Sequence, residues 1–360
     1  LQKHVVYKQA LTLFEESEEI EMRLLRQFAA AMCVVAVTSI SAIAQDLPSL
    51  STDVPKMSTQ QFDEFLQTLK RWGEFGAEDQ VGAINLITAA KRVQAAKEVK
   101  SGVSVSLANP ISKTATGDFI VPLEHQTFVF PPLAGPDSPE MAAGDVFTIN
   151  YHGALHSHMD GVAHFGWNGQ LYNGFPFEPT DTGFPHVGLE HIAKKGIFTR
   201  GVLVDLPALY GIAALEPGTV ITIDHLNAWE KATGVTVSAG DVVLVRTGRW
   251  TLAEKMGGFN PLEKTAGLHA STGAWLKQRG VAAIGCDAIS DVVPGGVDGV
   301  FNPVHVITNY ALGMPLFDHL QLDELATIAQ SKGRHTFLFT ANPLHIEGAT
   351  GSPLSPVAVF

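Results

Sequence analysis

The chain has 360 residues and a formal net charge of −12, from 36 acidic and 24 basic side chains. This acidic balance argues against nucleic acid or anionic membrane surfaces as partners, because both bind basic patches. With 46% hydrophobic residues and no low-complexity linker, the chain is expected to form one large compact unit that binds a small-molecule substrate.

The N-terminal residues predict a leader that precedes the fold. Residues 1–21 are interpreted as an upstream translation artefact, since Met22 is a better start. Residues 22–44 predict a secretory signal peptide, with a short basic region, an apolar run and the small-residue cleavage signature Ala42-Ile-Ala44. The apolar run is short for a membrane span, and an uncleaved anchor is the alternative. Residues 45–360 would then be a single domain, periplasmic or secreted, without stable membrane association after signal cleavage.

The two cysteines cannot form a disulfide in the exported protein. Cys33 lies in the predicted signal peptide, so only Cys286 remains. Cys286 ends the apolar run 281–286, which reads as a buried strand. A buried thiol is therefore expected there, and a nucleophile is not.

Three stretches have the pattern of amphipathic helices. A capping box at Ser58-Thr-Gln-Gln61 precedes apolar residues at helical spacing up to Gly73. A second helix is predicted from Thr88 to about Lys100. A third is predicted from Ser271 to Arg279, because Gly280 suits a left-handed C-cap.

Short runs of apolar and β-branched residues predict strands. Several are continuously apolar, which favours strands buried on both faces in a mixed α/β architecture. The predicted strands are residues 145–151, 201–206, 219–223, 241–246, 281–286 and 335–340.

One segment concentrates side chains that bind metal ions. Neutral imidazole and carboxylate are usual ligands of Zn²⁺ or Mn²⁺, and a cation offsets the cost of gathering such groups away from water. His158 and Asp160 are two residues apart, so an extended backbone would point both to one side. The alternative is a polar loop whose histidines are solvated or bonded to backbone. Residues 150–164 contain His152, His156, His158, Asp160 and His164.

Within this segment, Ser157-His-Met-Asp-Gly-Val-Ala-His164 resembles the signature of the metal-dependent cyclase family, which includes kynurenine formamidases and isatin hydrolase. That signature has a histidine, three intervening residues, His-x-Asp, and then x-Pro-x-His; Val162 stands where the proline is usual. Other stretches resemble the family in the same order along nearly the whole expected mature chain: residues 72–85, 172–174, 200–205, 240–248, 303–305, 316–318 and 351–353.

The resemblance implies a fold and an activity. The expected fold is α/β, with a mixed sheet or barrel-like β core and flanking helices of the swivelling β/β/α type. The expected activity is hydrolysis of an amide, lactam or lactone of a small molecule, as in arylformamidases and isatin hydrolase. One or two divalent ions per subunit, Zn²⁺ or Mn²⁺, would activate water, whose pKa falls from 15.7 toward roughly 7 on such an ion. A homodimer or higher homo-oligomer is also implied.

Carried over residue by residue, the resemblance implies two metal positions. His152, His158 and Asp160 would bind the first ion, and Asp160 could bridge to a second. His305 and Asp318 would complete the second position. No organic cofactor is needed for this chemistry.

The first ligand has an alternative. The residue four before His158 is Ala154, so either His152 or His156 must take the first histidine's role. His152 is preferred, since the loop would then have gained two residues relative to the family. His156 shares the alternation of His158 and Asp160, which would favour it in a locally extended backbone.

His164 and Asp318 also have second interpretations. By resemblance His164 is the general acid or base, a role that suits imidazole near neutral pH, and the alternative is a core or supporting histidine. The family more often has glutamate where Asp318 stands. Asp318 could instead be the N-cap of a helix from Leu320 to Ala326.

Several other residues have two interpretations, and two competing functions remain. Asp287 and Asp291 follow a predicted strand and lie either near the site or in a surface turn. The competing functions are a metal- or ligand-binding protein without turnover and a metal-dependent isomerase or dehydratase. An aromatic wall for a ring-shaped substrate, or else ordinary core packing, is expected of Phe165, Trp167, Tyr172 and Phe175.

Overall fold

The computed structural model describes residues 47–114, 121–153, 156–258 and 260–360. The chain divides into two units, Leu1–Pro48 and Ser49–Phe360. The predicted signal peptide and its cleavage site lie outside the described residues. Among the helices that are described, none has the length and apolar character needed to cross a membrane.

A nine-stranded mixed sheet, strongly curled into a half-barrel, forms the centre of the second unit. The other strands that the structure describes form two small two-stranded sheets. In chain order the strands are β1 (Ser104–Ser106), β2 (Glu124–Phe130), β3 (Ala142–Thr148), β4 (His158–Asp160), β5 (Phe198–Asp205), β6 (Val220–Ile221), β7 (Val242–Arg246), β8 (Gly267–Leu268), β9 (Ala283–Cys286), β10 (Leu316–Asp318), β11 (Thr336–Thr340), β12 (Gly351–Pro353) and β13 (Val357–Val359).

The order of the large sheet is β1-β13-β11-β5-β7-β9-β10-β4-β12. Its four middle strands, β5, β7, β9 and β10, are parallel to one another. The other pairings in this sheet are antiparallel. The fold class is therefore the expected mixed α/β arrangement with a barrel-like β core.

Helices flank this sheet, and a short π-helical turn (Ile307–Ala311) follows one of them. The α-helices are α1 (Thr59–Leu69), α2 (Ala89–Ala96), α3 (Leu189–Lys195), α4 (Leu206–Tyr210), α5 (Ile223–Thr233), α6 (Arg249–Met256), α7 (Thr272–Arg279), α8 (Pro303–Val306) and α9 (Asp323–Lys332).

The three predicted helices are confirmed, with two C-terminal boundaries changed: α1 ends at Leu69, before Gly73, and α2 ends early as well. Ser58 caps α1 in a capping box with Gln61, and Gly280 ends α7 in the left-handed conformation at φ 66°. Thr88 caps α2, but this helix ends at Ala96 and not near Lys100. The local signals that start each helix were readable because a cap depends on residues only three positions apart.

The predicted strands were continuously apolar because both faces of the sheet are covered. On β5, Val202 and Val204 belong to one buried apolar cluster, whereas Leu203 belongs to the other. Strand β7 alternates in the same way. The predicted strand 145–151 is different, because it overlaps β3, which within the described ranges pairs only with β2, in an exposed hairpin.

Candidate metal centre

Strand β4 places the two central residues of the histidine-rich segment. His158 and Asp160 are its first and last residues, and both are buried. The register of β4 with its antiparallel neighbours sets Asp318 of β10 opposite His158 and Gly351 of β12 opposite Asp160. The backbone between His158 and Asp160 is therefore extended, which is the condition under which their side chains point to one side.

A first group of ligand atoms forms around one oxygen of Asp160. The Oδ1 atom lies 2.9 Å from Nδ1 of His152 and 3.4 Å from Nε2 of His158. His158 uses its other nitrogen, Nδ1, in a 2.7 Å hydrogen bond to the carbonyl of His156. On His152, Nε2 lies 3.1 Å from the Thr350 hydroxyl. The three side chains offer atoms within 4.8 Å of one another.

A second group forms around the other oxygen of Asp160. Its Oδ2 atom lies 3.3 Å from Nε2 of His305, and the same nitrogen lies 3.2 Å from Oδ2 of Asp318. His305 comes from α8 and Asp318 from β10, and all three side chains are buried. Asp160 is therefore common to both groups.

Two orphaned atoms show that the first group fits a divalent cation. Oδ1 of Asp160 and Nδ1 of His152 are buried, yet within the described residues neither has a hydrogen-bond partner. A buried carboxylate oxygen without a donor costs several kcal/mol, roughly 2–7 for a polar group on transfer scales and more for a charge. Two histidines and a carboxylate are a ligand set of Zn²⁺ and Mn²⁺. A cation at this point would satisfy both atoms.

Buried carboxylates and their imidazole neighbours determine the pKa values in the two groups. Burial raises the pKa of Asp160, but the charges of His164 and His158 and the close imidazole of His152 outweigh it, so this pKa is well below its usual range. Burial lowers the pKa of His305, but the charge of Asp318 and hydrogen bonds to carboxylates outweigh it and raise that pKa well above its usual range. Both shifts describe a pocket that favours positive charge.

His164 stands at the opening of the first group. Its side chain is 24% exposed, and its Nε2 lies 3.8 Å from Oδ1 of Asp160. Its ring stacks on that of His152, with centroids 3.9 Å apart and 6° between the planes. Burial lowers the pKa of His164 to about 4, in spite of Asp160 and with help from His152. The ring is therefore neutral at pH 7 and can accept a proton.

His156 lies outside both groups. It is buried, and its Nδ1 lies 3.4 Å from the carbonyl of Asn150. The alternation that favoured it requires an extended backbone from residue 156 onward, but β4 begins at His158. The structure thus brings His152, and not His156, to His158 and Asp160.

The alternative role of Asp318 as a helix N-cap is wrong. Asp318 ends β10, and the next helix, α9, begins at Asp323 with Leu322 at its N-cap. The shorter side chain of aspartate still reaches His305 from this strand. The residue that follows it, His319, has a left-handed backbone at φ 57°.

His319 connects β10 to the loop that carries His152. No spacing in the sequence indicated this role of His319. Its carbonyl accepts hydrogen bonds from Oγ of Ser157 at 2.7 Å and Nδ2 of Asn109 at 2.8 Å. Its ring bonds to Nη1 of the buried Arg249 and to the backbone of Gly153. The loop next to His152 is held by these contacts.

Of the four aromatic residues that follow the segment, Phe165 contacts the site. Its ring centroid lies 4.7 Å from that of His164 and 5.0 Å from that of His305. The others pack elsewhere: Trp167 on Phe62, Tyr172 with its hydroxyl 3.2 Å from Asp79, and Phe175 on His186. Asp287 and Asp291 are fully buried and are not surface-turn residues.

Comparison with known proteins identifies related sequences and folds. The family model Cyclase, described as "Putative cyclase", matches residues 105–291. This range includes His152, His158, Asp160 and His164, and it ends before His305 and Asp318. No curated protein matches the chain.

The solved structures that resemble this chain share its fold over most of their length. A crystal structure of a novel cyclase is 29% identical with a TM-score of 0.71, covering 82% of this chain and 99% of that one. Isatin hydrolase A from Ralstonia solanacearum is 23% identical with a TM-score of 0.51, covering 76% and 96%. An isatin hydrolase bound to the product analogue thioisatinate is 18% identical with a TM-score of 0.51, covering 75% and 98%.

Proposed function

Because the chain belongs to the Cyclase family, we propose that it is a metal-dependent hydrolase acting on an amide, lactam or lactone of a small molecule. One observation carries this proposal: two ligand groups meet at Asp160, next to the partly exposed His164. The isatin hydrolases that share the fold are named for isatin, which contains a cyclic amide. That likeness supports a lactam or a related acyl compound as the substrate class.

The residues that would hold the metal are those of the two groups. His152, His158 and Asp160 would hold one ion, and Asp160, His305 and Asp318 a second. When bound, a divalent ion would supply Lewis-acid polarisation of the substrate carbonyl and acidify water.

The proton transfers are assigned to His164. Its neutral Nε2 can take a proton from the attacking water and return it to the departing nitrogen or oxygen. Asp160, 3.8 Å away, would stabilise the protonated ring in between. The stack on His152 fixes the plane in which this nitrogen points.

Substrate orientation is assigned to Phe165. Its ring lies against both His164 and His305 and is partly exposed. An apolar or aromatic group of the substrate can pack on this ring. Its carbonyl would then lie over the ligand groups.

The test uses purified protein beginning at Gln45, metal analysis and a screen of formamides, lactams and lactones. Replacing His164 by alanine should lower turnover by ~10²–10⁴-fold and leave the metal content unchanged. Asp160→Asn should lose both. His191→Ala is the control, since His191 is a partly exposed residue that pairs with Glu190.

Two outcomes would count against the proposal. A folded protein that holds no divalent metal after metal-supplemented purification would exclude this mechanism. Metal binding without turnover of any compound in the screen would favour the competing function of a metal- or ligand-binding protein.

A further inference from the structure

Two consecutive residues after β9 contact the two outer ligands of the second group. Ser290 donates two hydrogen bonds to Oδ1 of Asp318, from its backbone nitrogen at 3.1 Å and its hydroxyl at 2.7 Å. Asp291 accepts a 2.5 Å hydrogen bond on Oδ2 from Nδ1 of His305. Both residues are fully buried.

These contacts decide which atoms point at the centre of the group. A neutral histidine, the form that binds a metal, carries its lone pair on Nε2 when it donates its Nδ1–H to a carboxylate. On His305 this is the nitrogen that faces Asp160 and Asp318. Similarly, Ser290 occupies Oδ1 of Asp318 and leaves Oδ2 toward His305.

Asp291 also fixes the backbone that carries His305. Its Oδ1 accepts from the nitrogen of Val304 at 2.6 Å, and its Oδ2 from the nitrogen of His305 at 3.3 Å. The carboxylate therefore holds the first turn of α8 and the imidazole ring together. A purely structural role would end at the backbone bonds, whereas the bond to Nδ1 acts on the ligand itself.

We propose that Ser290 and Asp291 are positioning residues for a second metal ion, which they prepare by fixing the orientation of Asp318 and the orientation and tautomer of His305. This inference rests on the proposed use of metal. Carboxylates that accept from a metal-binding histidine typically change metal affinity by ~10–100-fold when they are mutated. The adjacent residues Ser290 and Asp291 would thus fix the orientation of two ligands that come from separate elements, α8 and β10.

The experiment is a calorimetric titration of metal-free protein with Zn²⁺. It needs no substrate. Asp291→Asn should weaken the second ion by ~10–100-fold and leave the first unchanged. Ser290→Ala should have a smaller effect of a few-fold, since the backbone bond to Asp318 remains. Asp287→Asn is the matched control, because this equally buried aspartate bonds to Thr247, Gly248 and Arg249.

A second background separates positioning from loss of structure. In a His305→Ala protein, Asp291→Asn should leave the affinity for the remaining ion unchanged, because the ligand through which Asp291 acts is gone. If Asp291→Asn weakens the remaining ion there, or if Asp287→Asn weakens the second ion as much as Asp291→Asn does, the proposal is overturned.

Failure of this inference can be told apart from failure of the proposed hydrolase. A wild-type protein that binds one ion and hydrolyses a substrate would overturn the second site and leave the hydrolase standing. Equal second-ion affinity in wild type and Asp291→Asn would also overturn the inference alone. Two ions with the expected Asp291→Asn effect, but no hydrolysis of any compound, would support the inference and count against the hydrolase.

Discussion

A Cβ atom on Gly351 would lie 2.9 Å from Cε1 of His152 and 2.3 Å from the carbonyl oxygen of Met159. Strand β12 thus approaches β4 and the first ligand closely enough that only glycine fits. We expect Gly351→Ala to displace either the strand or the imidazole, at a cost of about 1–3 kcal/mol. Metal titration and thermal unfolding should show a weaker first ion and a lower free energy of unfolding.

Gly153→Ala is the control for that substitution. Gly153 follows His152 directly, a Cβ there would meet no atom of the described residues within 4 Å, and its φ is outside the left-handed region. Metal affinity and stability should therefore match those of the wild type. If Gly351→Ala binds metal like Gly153→Ala, the close approach of β12 does not constrain His152.

The thiol of Cys286 should be unreactive in the folded protein. Burial, and then the charge of Asp287, raises its pKa well above the usual range, and the thiolate is the reactive form. In protein that begins at Gln45, we expect no labelling by a disulfide reagent at pH 8 until denaturant unfolds the chain. Stoichiometric labelling of native protein within minutes would contradict the burial of β9.

The hairpin of β2 and β3 should mediate self-association, as we propose for this protein. In the single subunit it exposes a set of large apolar side chains to water: Phe128, Val129, Phe130, Leu133, Met141, Val146 and Phe147. Exposed apolar patches often mark interfaces. The register pairs Phe147 with His125, so Phe147 and Val129 lie on one face.

The test is light scattering of a Val129→Glu, Phe147→Glu variant. Its mass should fall relative to a wild-type oligomer, while thermal unfolding shows that the subunit remains folded. Val93→Glu, at an exposed apolar residue of α2 outside the hairpin, should keep the wild-type mass. A monomeric wild type at micromolar concentration would rule out this role.

The sequence predicted those features whose signals are local. The cap at Ser58 and the apolar runs of β7 and β9 need only a few neighbouring residues to be recognised. The spacing of His158 and Asp160 is also local, and it indicated that an extended backbone would point both side chains to one side.

The supporting contacts of the site could not be predicted in the same way. Thr350 lies 198 positions from His152, with which it bonds, and Ser290 lies 28 positions from Asp318. Such pairs are set by the order of strands in the sheet, which no single segment encodes. Strands β4, β10 and β12 have three residues each, which is too short for a period of two to be visible.

The choice between His152 and His156 gives the most direct test of the first ion. We expect His152→Ala to weaken it by more than ~100-fold, beyond the usual effect of a supporting residue, because Nδ1 of His152 faces Oδ1 of Asp160. His156→Ala should retain that affinity and lose about 0.5–3 kcal/mol of stability as a buried side chain. Calorimetric titration and unfolding in chelator measure the two effects separately. The reverse result would mean that the loop before β4 carries His156 to the metal.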